Sequence, residues 1–123
     1  MDLSDHDKLL IIKFFCRKIQ EAATTYGRDF SSLTGNFHYI SLLSMYLIQI
    51  GGQCEKLTDE FKEINSEISW SVLIDFKNKL ITSFFSSDIV DIWNLSGECA
   101  IKLFGLCREK LGDEEFSFPS FLN

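Results

Sequence analysis

The amino-acid sequence predicts an all-α protein, an up-and-down bundle of about four main helices. Three observations carry this. Apolar residues recur at three- and four-residue steps in four separate stretches, the spacing that lines one face of a helix. Glycine and clusters of serine, threonine, asparagine and aspartate fall between those stretches and punctuate them. A chain of 123 residues with 46% hydrophobic content can bury one core and is too short for two ordinary domains, so a single domain over residues 1–123 is expected.

The first helix is expected from Asp5 to about Ala23. Leu10, Phe14, Cys16, Ile19 and Ala22 approximate its inward face, and Lys13, Arg17, Lys18 and Glu21 make the other. Ile11 and Phe15 widen the apolar side, and Gly27 ends the helix. Residues 28–36, with Ser31, Ser32, Thr34, Gly35 and Asn36, read as a loop with room for one helical turn.

The clearest periodicity follows. Phe37, Ile40, Leu43, Leu47, Ile50, Cys54, Leu57 and Phe61 keep a steady step that describes one long helix over residues 36–62. Gly51 and Gly52 sit in its middle, each costing up to about 1 kcal/mol relative to alanine. Either the helix bends there or another helix comes close.

Ser69 stands where an N-cap belongs, ahead of a helix whose apolar face carries Ile74, Asn78, Ile81 and Phe85 and which ends near Ser86. Ser86, Ser87 and Asp88 then offer side-chain oxygens to free backbone N–H groups, and Asp91 suits the positive end of a last helix from Asp88 to Leu111. Ile89, Trp93, Ser96, Ala100, Leu103, Phe104 and Cys107 are expected to face inward, with Gly112 as C-cap. From about residue 112 a short aromatic tail begins: Asp113, Glu114 and Glu115, then Phe116, Phe118, Pro119, Phe121 and Leu122. It either packs on its own bundle or covers a groove on a partner or second copy.

The net charge of −6 and pI near 4.8 disfavour broad attraction to nucleic acid, so RNA is possible as a partner only through a local patch. No apolar run reaches about 18 residues, and no signal-peptide pattern opens the chain, so no membrane contact and a cytoplasmic location are expected. Cys16, Cys54, Cys99 and Cys107 form no Cys-x-x-Cys pair and have no histidine at ligand spacing, so they read as buried thiols in a reducing compartment, with no metal and no cofactor implied. No phosphate loop, Ser/His/Asp set or acidic metal cluster is present, and Asp59, Glu60, Glu63 and Glu67 read as solvated surface. His6 and His38 are expected to be exposed and structural.

Ile68, Ser69 and Trp70, the Lys77-Asn78-x-Leu80-Ile81-x-x-Phe84-Phe85 run, Asp88, and the Ile92-Trp93 pair together resemble the signature segment of the HepT-like family of the HEPN superfamily. Gln49-Ile50-Gly51 and Leu57-Thr58-Asp59-Glu60-Phe61 fit at the expected distance, so the resemblance covers roughly residues 5–111. It implies a HEPN-like helical bundle that dimerises and cuts RNA without a metal. It also implies a toxin paired with a minimal nucleotidyltransferase antitoxin.

The motif that the resemblance implies is an Arg-polar pair, a His about five residues after the Arg, and a Tyr two further on. This chain has Lys77 and Asn78, Thr82 and Phe84 at those positions. Histidine moves protons near neutral pH, whereas the Thr82 hydroxyl has no second protonation state there. Lys77 keeps the charge of an arginine and loses its bidentate fork. Phe84 has no oxygen to accept the adenylate that the family's antitoxin is understood to place on the tyrosine. Gly52 replaces a glutamate that the family normally carries after the first glycine. Asn78 is the best inherited candidate, matching the second motif position on the apolar face; its plainer role is a buried polar residue capping a neighbouring helix. Lys77 and Lys79 suit a phosphate clamp or simple compensation of a helix dipole.

Two functions are therefore weighed. One is a catalytically degenerate, homodimeric binding or regulatory subunit that keeps the contact with a nucleotidyltransferase. The alternative is an active metal-independent RNase toxin that uses Lys77, Asn78 and a further group.

Overall fold

The computed structural model describes residues 1–83 and 88–117, and every regular element among them is helical. In chain order these are α1 (Leu3–Tyr26), α2 (Phe30–Leu33), α3 (Phe37–Lys56), α4 (Asp59–Ile64), α5 (Trp70–Thr82), α6 (Ile89–Asn94) and α7 (Ala100–Leu111). A π-helical turn, Leu95–Cys99, joins α6 to α7, so the last three pieces make the single helical stretch expected from Asp88 onward. The four main helices of the predicted bundle are α1, α3, α5 and this composite.

α3 lies at the centre, packed against α1 on one side and α5 on the other, while α1 also packs on α7. Side-chain caps fix four of the helix starts, of which the sequence points to Asp88. Asp2 accepts from the Asp5 N–H, Asn36 from Tyr39, Thr58 from Phe61 and Asp88 from Val90. Ser69 stands at the α5 N-cap but makes no side-chain capping bond. The antiparallel pairing of α1 and α3 is pinned at both ends. The Tyr39 hydroxyl at the start of α3 donates to the Gly27 carbonyl, 3.0 Å, where α1 stops. At the opposite end the Asp5 carboxylate accepts from the Thr58 N–H, 2.8 Å, and hydroxyl, 2.6 Å.

That second contact explains a departure from expectation. The apolar step runs unbroken from Leu43 to Phe61, and Leu43, Leu47, Ile50, Cys54, Leu57 and Phe61 are all buried. Yet the helix stops at Lys56, and Leu57 and Thr58 are extended. Thr58 spends its N–H on Asp5 rather than on the carbonyl four residues back, and its hydroxyl oxygen caps a fresh helix. Gly51-Gly52, the suspected weak point, is uninterrupted helix. Gly51 is there because α5 comes close: a Cβ at this position would lie 2.5 Å from the Lys77 Cβ and 2.8 Å from the Leu73 carbonyl oxygen.

Two helix faces also differ from the periodic reading. α5 buries Trp70, Leu73, Phe76 and Leu80, leaving Asn78 and Ile81 exposed. Both stripes are apolar enough to qualify, and only docking on α3 selects between them. Phe85 lies outside the described residues. On α1, Leu9 and Ile12 join Cys16, Ile19 and Ala22 in the core, and Lys13, assigned to the outer face, is 1% exposed. In the last helical stretch Ile92, Leu95 and Leu106 lie deeper than Ile89, Trp93 and Phe104, which are half-buried. The extra residue of the π turn shifts the register there.

Candidate functional site

Lys77, Asn78 and Thr82 fall on the last turns of α5, on the helix that α3 holds through Gly51. Lys77 lies on the α3 side, with its side chain 12% exposed. Its stem passes over the notch that Gly51 leaves, and its Nζ ends 2.5 Å from Glu55 Oε2 on α3 and 2.8 Å from its neighbour's Asn78 Oδ1. Hydrogen bonding from Lys77, reinforced by its charge, holds the Glu55 carboxyl below its ordinary range. Glu55 is thus ionised at neutral pH and cannot act as an acid there.

Thr82 does not join this group. Its hydroxyl donates to the Asn78 carbonyl at 3.0 Å and to that of Lys79 at 3.3 Å, the back-bonding that threonine makes within a helix. Asn78, expected among buried side chains, is exposed, and its carbonyl oxygen accepts from Lys77. Phe84 lies outside the described residues. The structure therefore brings Lys77 and Asn78 together, adds Glu55, and leaves Thr82 turned onto its own backbone.

Lys79 does not pair with Lys77 as a clamp. Two residues of helix rotate a side chain by about 200°, which puts Lys79 on the other side of α5. There it lines an open cleft of ≈ 460 Å³ with Val72, Asp75 and Phe76 of α5 and Asp91, Asn94 and Leu95 opposite. A lysine with acidic neighbours on both walls is not a phosphate grip.

Nothing in the local sequence pattern marks Glu55. It lies one turn beyond Gly51, on the face of α3 that meets α5, so the close-approach glycine itself was the available signal. His38 is exposed, near the Tyr26 ring, as anticipated. His6 is held more firmly than an N-terminal position suggests: its Nε2 lies 2.7 Å from Glu114 Oε1. Asp59, Glu60, Glu63 and Glu67 are exposed.

The cysteines behave as core residues. Cys16, Cys54 and Cys107 are buried and Cys99 partly so, all as free thiols. Burial pushes Cys107 up to about 12 and raises Cys16 and Cys54 well beyond the range of a nucleophile at neutral pH. Among the described residues no His, Cys, Asp or Glu group is arranged to hold a metal ion, and no helix is long and apolar enough to cross a membrane.

No curated protein and no solved structure matches the chain. A family model described as ribonuclease HepT-like matches residues 12–109.

Proposed function

This chain belongs to the HepT-like ribonuclease family, and on that premise we propose that it is a catalytically degenerate member: a homodimeric binding or regulatory subunit working beside a minimal nucleotidyltransferase. The observation that carries the reading is the state of the motif positions. The cation at 77 is neutralised by Glu55, and the hydroxyl at 82 is committed to a helix carbonyl. Cleavage of RNA without a metal needs a group that gives and takes a proton near neutral pH, and neither residue can. General acid–base catalysis is worth about 10²- to 10⁴-fold per group. Loss of the histidine therefore removes most activity even where RNA still binds. In this reading the helical scaffold is retained for pairing with a second copy and with a partner protein.

The test is RNA cleavage by the purified protein beside an intact-motif relative. The proposal expects intact RNA from this chain and partial recovery in the Lys77→Arg, Thr82→His double variant. Robust cleavage by the unmodified protein, abolished by Asn78→Ala or Lys77→Ala, would establish an active toxin with a non-standard motif instead. Light scattering at micromolar concentration tests the dimer, since a monomeric mass removes that part of the reading.

A further inference from the structure

The acidic triplet that follows α7 is exposed, yet two of its three carboxylates are held by side chains of α1. Gly112, at φ 62°, ends α7 and turns the chain back onto α1, a backbone conformation that costs glycine little. Glu114 and Glu115 then meet basic side chains of α1, while Asp113 stays fully exposed. Asp113 lies 3.7 Å from Arg108 of α7. Glu114 lies 2.7 Å from His6 of α1. Glu115 lies 2.7 Å from Arg17 and 3.3 Å from Lys13. The Phe116 ring follows, 5.9 Å from Phe14.

Lys13 sets this apart from an ordinary surface tail. A lysine at the edge of a core normally extends its stem so that the ammonium reaches water. Here the side chain is 1% exposed, and Nζ donates to the main-chain carbonyls of Gly112, 3.0 Å, and Glu114, 2.7 Å, besides pairing with Glu115. Burying a cation is costly unless it is fully paired and hydrogen-bonded. α1 thus presents a buried donor matched to peptide carbonyls, flanked by cations matched to carboxylates and by an aromatic ring matched to another.

We infer that this seam of α1 and α7 is a docking site for an acidic segment followed by an aromatic residue, supplied by a partner protein, and that the chain's own residues 112–116 fill it as an intramolecular competitor. Peptide is favoured over nucleic acid because the buried ammonium is spent on two main-chain carbonyls two residues apart, which a phosphodiester chain does not reproduce. The competitor is tethered directly to α7, so it acts at an effective concentration on the order of millimolar. A partner segment engages only when its own affinity, or a second contact elsewhere, outweighs that. This inference stands apart from the reading of Lys77 and Thr82.

The experiment uses the full chain and a fluorescent peptide of the sequence Gly-Asp-Glu-Glu-Phe-Ser. Loosening the resident segment in the variant Glu114→Gln, Glu115→Gln, Phe116→Ser should tighten binding of the peptide by about ten-fold or more over the unmodified chain. Adding Arg17→Gln should abolish the gain, and a peptide with lysines for its glutamates should not bind. Glu115→Gln alone, altering a half-exposed carboxylate, should give the same order with a smaller gain and guards against loss of folding in the triple variant. Variants that keep their helical circular dichroism yet bind the peptide no better than the unmodified chain overturn the inference. Arg17-dependent binding of an RNA oligonucleotide in place of the peptide overturns the choice of partner.

Discussion

The Lys77 ammonium sits 2.5 Å from the Glu55 carboxylate, across the contact that Gly51 opens between α5 and α3. The pair couples the helix carrying the motif to the centre of the bundle and withdraws the motif's cation from any anion outside. An RNA phosphate reaching Lys77 has to displace Glu55. Glu55→Gln should therefore leave the fold intact by circular dichroism while increasing retention on a polyanionic resin, and Glu55→Gln with Lys77→Met should cancel that increase. Equal retention of all three proteins would mean that Lys77 is not an anion site even when released.

The same pair has a pH signature. Glu55 is held below its ordinary pKa of 4.5 in the folded state, so its contribution is present above that value and is lost as pH falls through the lower folded value. Carbon-detected NMR titration should place Glu55 below 4.5, and Lys77→Met should return it toward that value.

The two adjacent glycines of α3 should respond in opposite ways. A Cβ at Gly51 meets the Lys77 Cβ and the Leu73 carbonyl, neither of which is a flexible chain end, whereas a Cβ at Gly52 meets nothing within 4 Å. Gly51→Ala should cost about 1–3 kcal/mol through overpacking. Gly52→Ala should gain up to about 1 kcal/mol from helix propensity. Urea unfolding of the two variants checks the difference in sign.

Asp5 should be a stability residue despite its place near the N-terminus. It is 2% exposed and accepts two bonds from Thr58 where α3 gives way to α4. Asp5→Ala strands the Thr58 N–H and should cost about 2–3 kcal/mol, measured by the same unfolding curves. A loss below about half a kcal/mol would show that water replaces the carboxylate there.

The attachment of the C-terminal segment should tighten on acidification. Hydrogen bonding to Glu114, and next to Asp7, raises the His6 imidazole above its ordinary 6.5. Lys13 and Glu115 flank the site from α1 and the segment. A raised value means that the contribution is fully present below 6.5 and is lost as pH rises through the folded value. Proton NMR of His6 should give a pKa above 6.5 that falls toward it in Glu114→Gln, and hydrogen exchange at residues 113–116 should slow as the pH drops, after correction for intrinsic rates.

The sequence by itself determined the fold class, most helix starts and the family. These follow from local chemistry: the spacing of Leu43, Leu47, Ile50 and Cys54, the oxygen of Asp88 at a helix start, and the run from Ile68 to Trp93 that carries the resemblance. It also showed which side chains the motif lacks, because a missing imidazole needs no coordinates. Tertiary structure alone decided what those positions do instead. A 3.6-residue period cannot choose between the Leu73–Phe76–Leu80 stripe and the one through Ile74, Asn78 and Ile81. The choice is made where Gly51 lets α5 rest on α3, and that contact turns Lys77 onto Glu55 and leaves Asn78 in water. Likewise Asp5 with Thr58, and Lys13 with the carbonyls of Gly112 and Glu114, join residues 53, 99 and 101 positions apart. Their burial is invisible locally, since a charged residue in a helix pattern is assigned to solvent until a distant part of the chain supplies its partner.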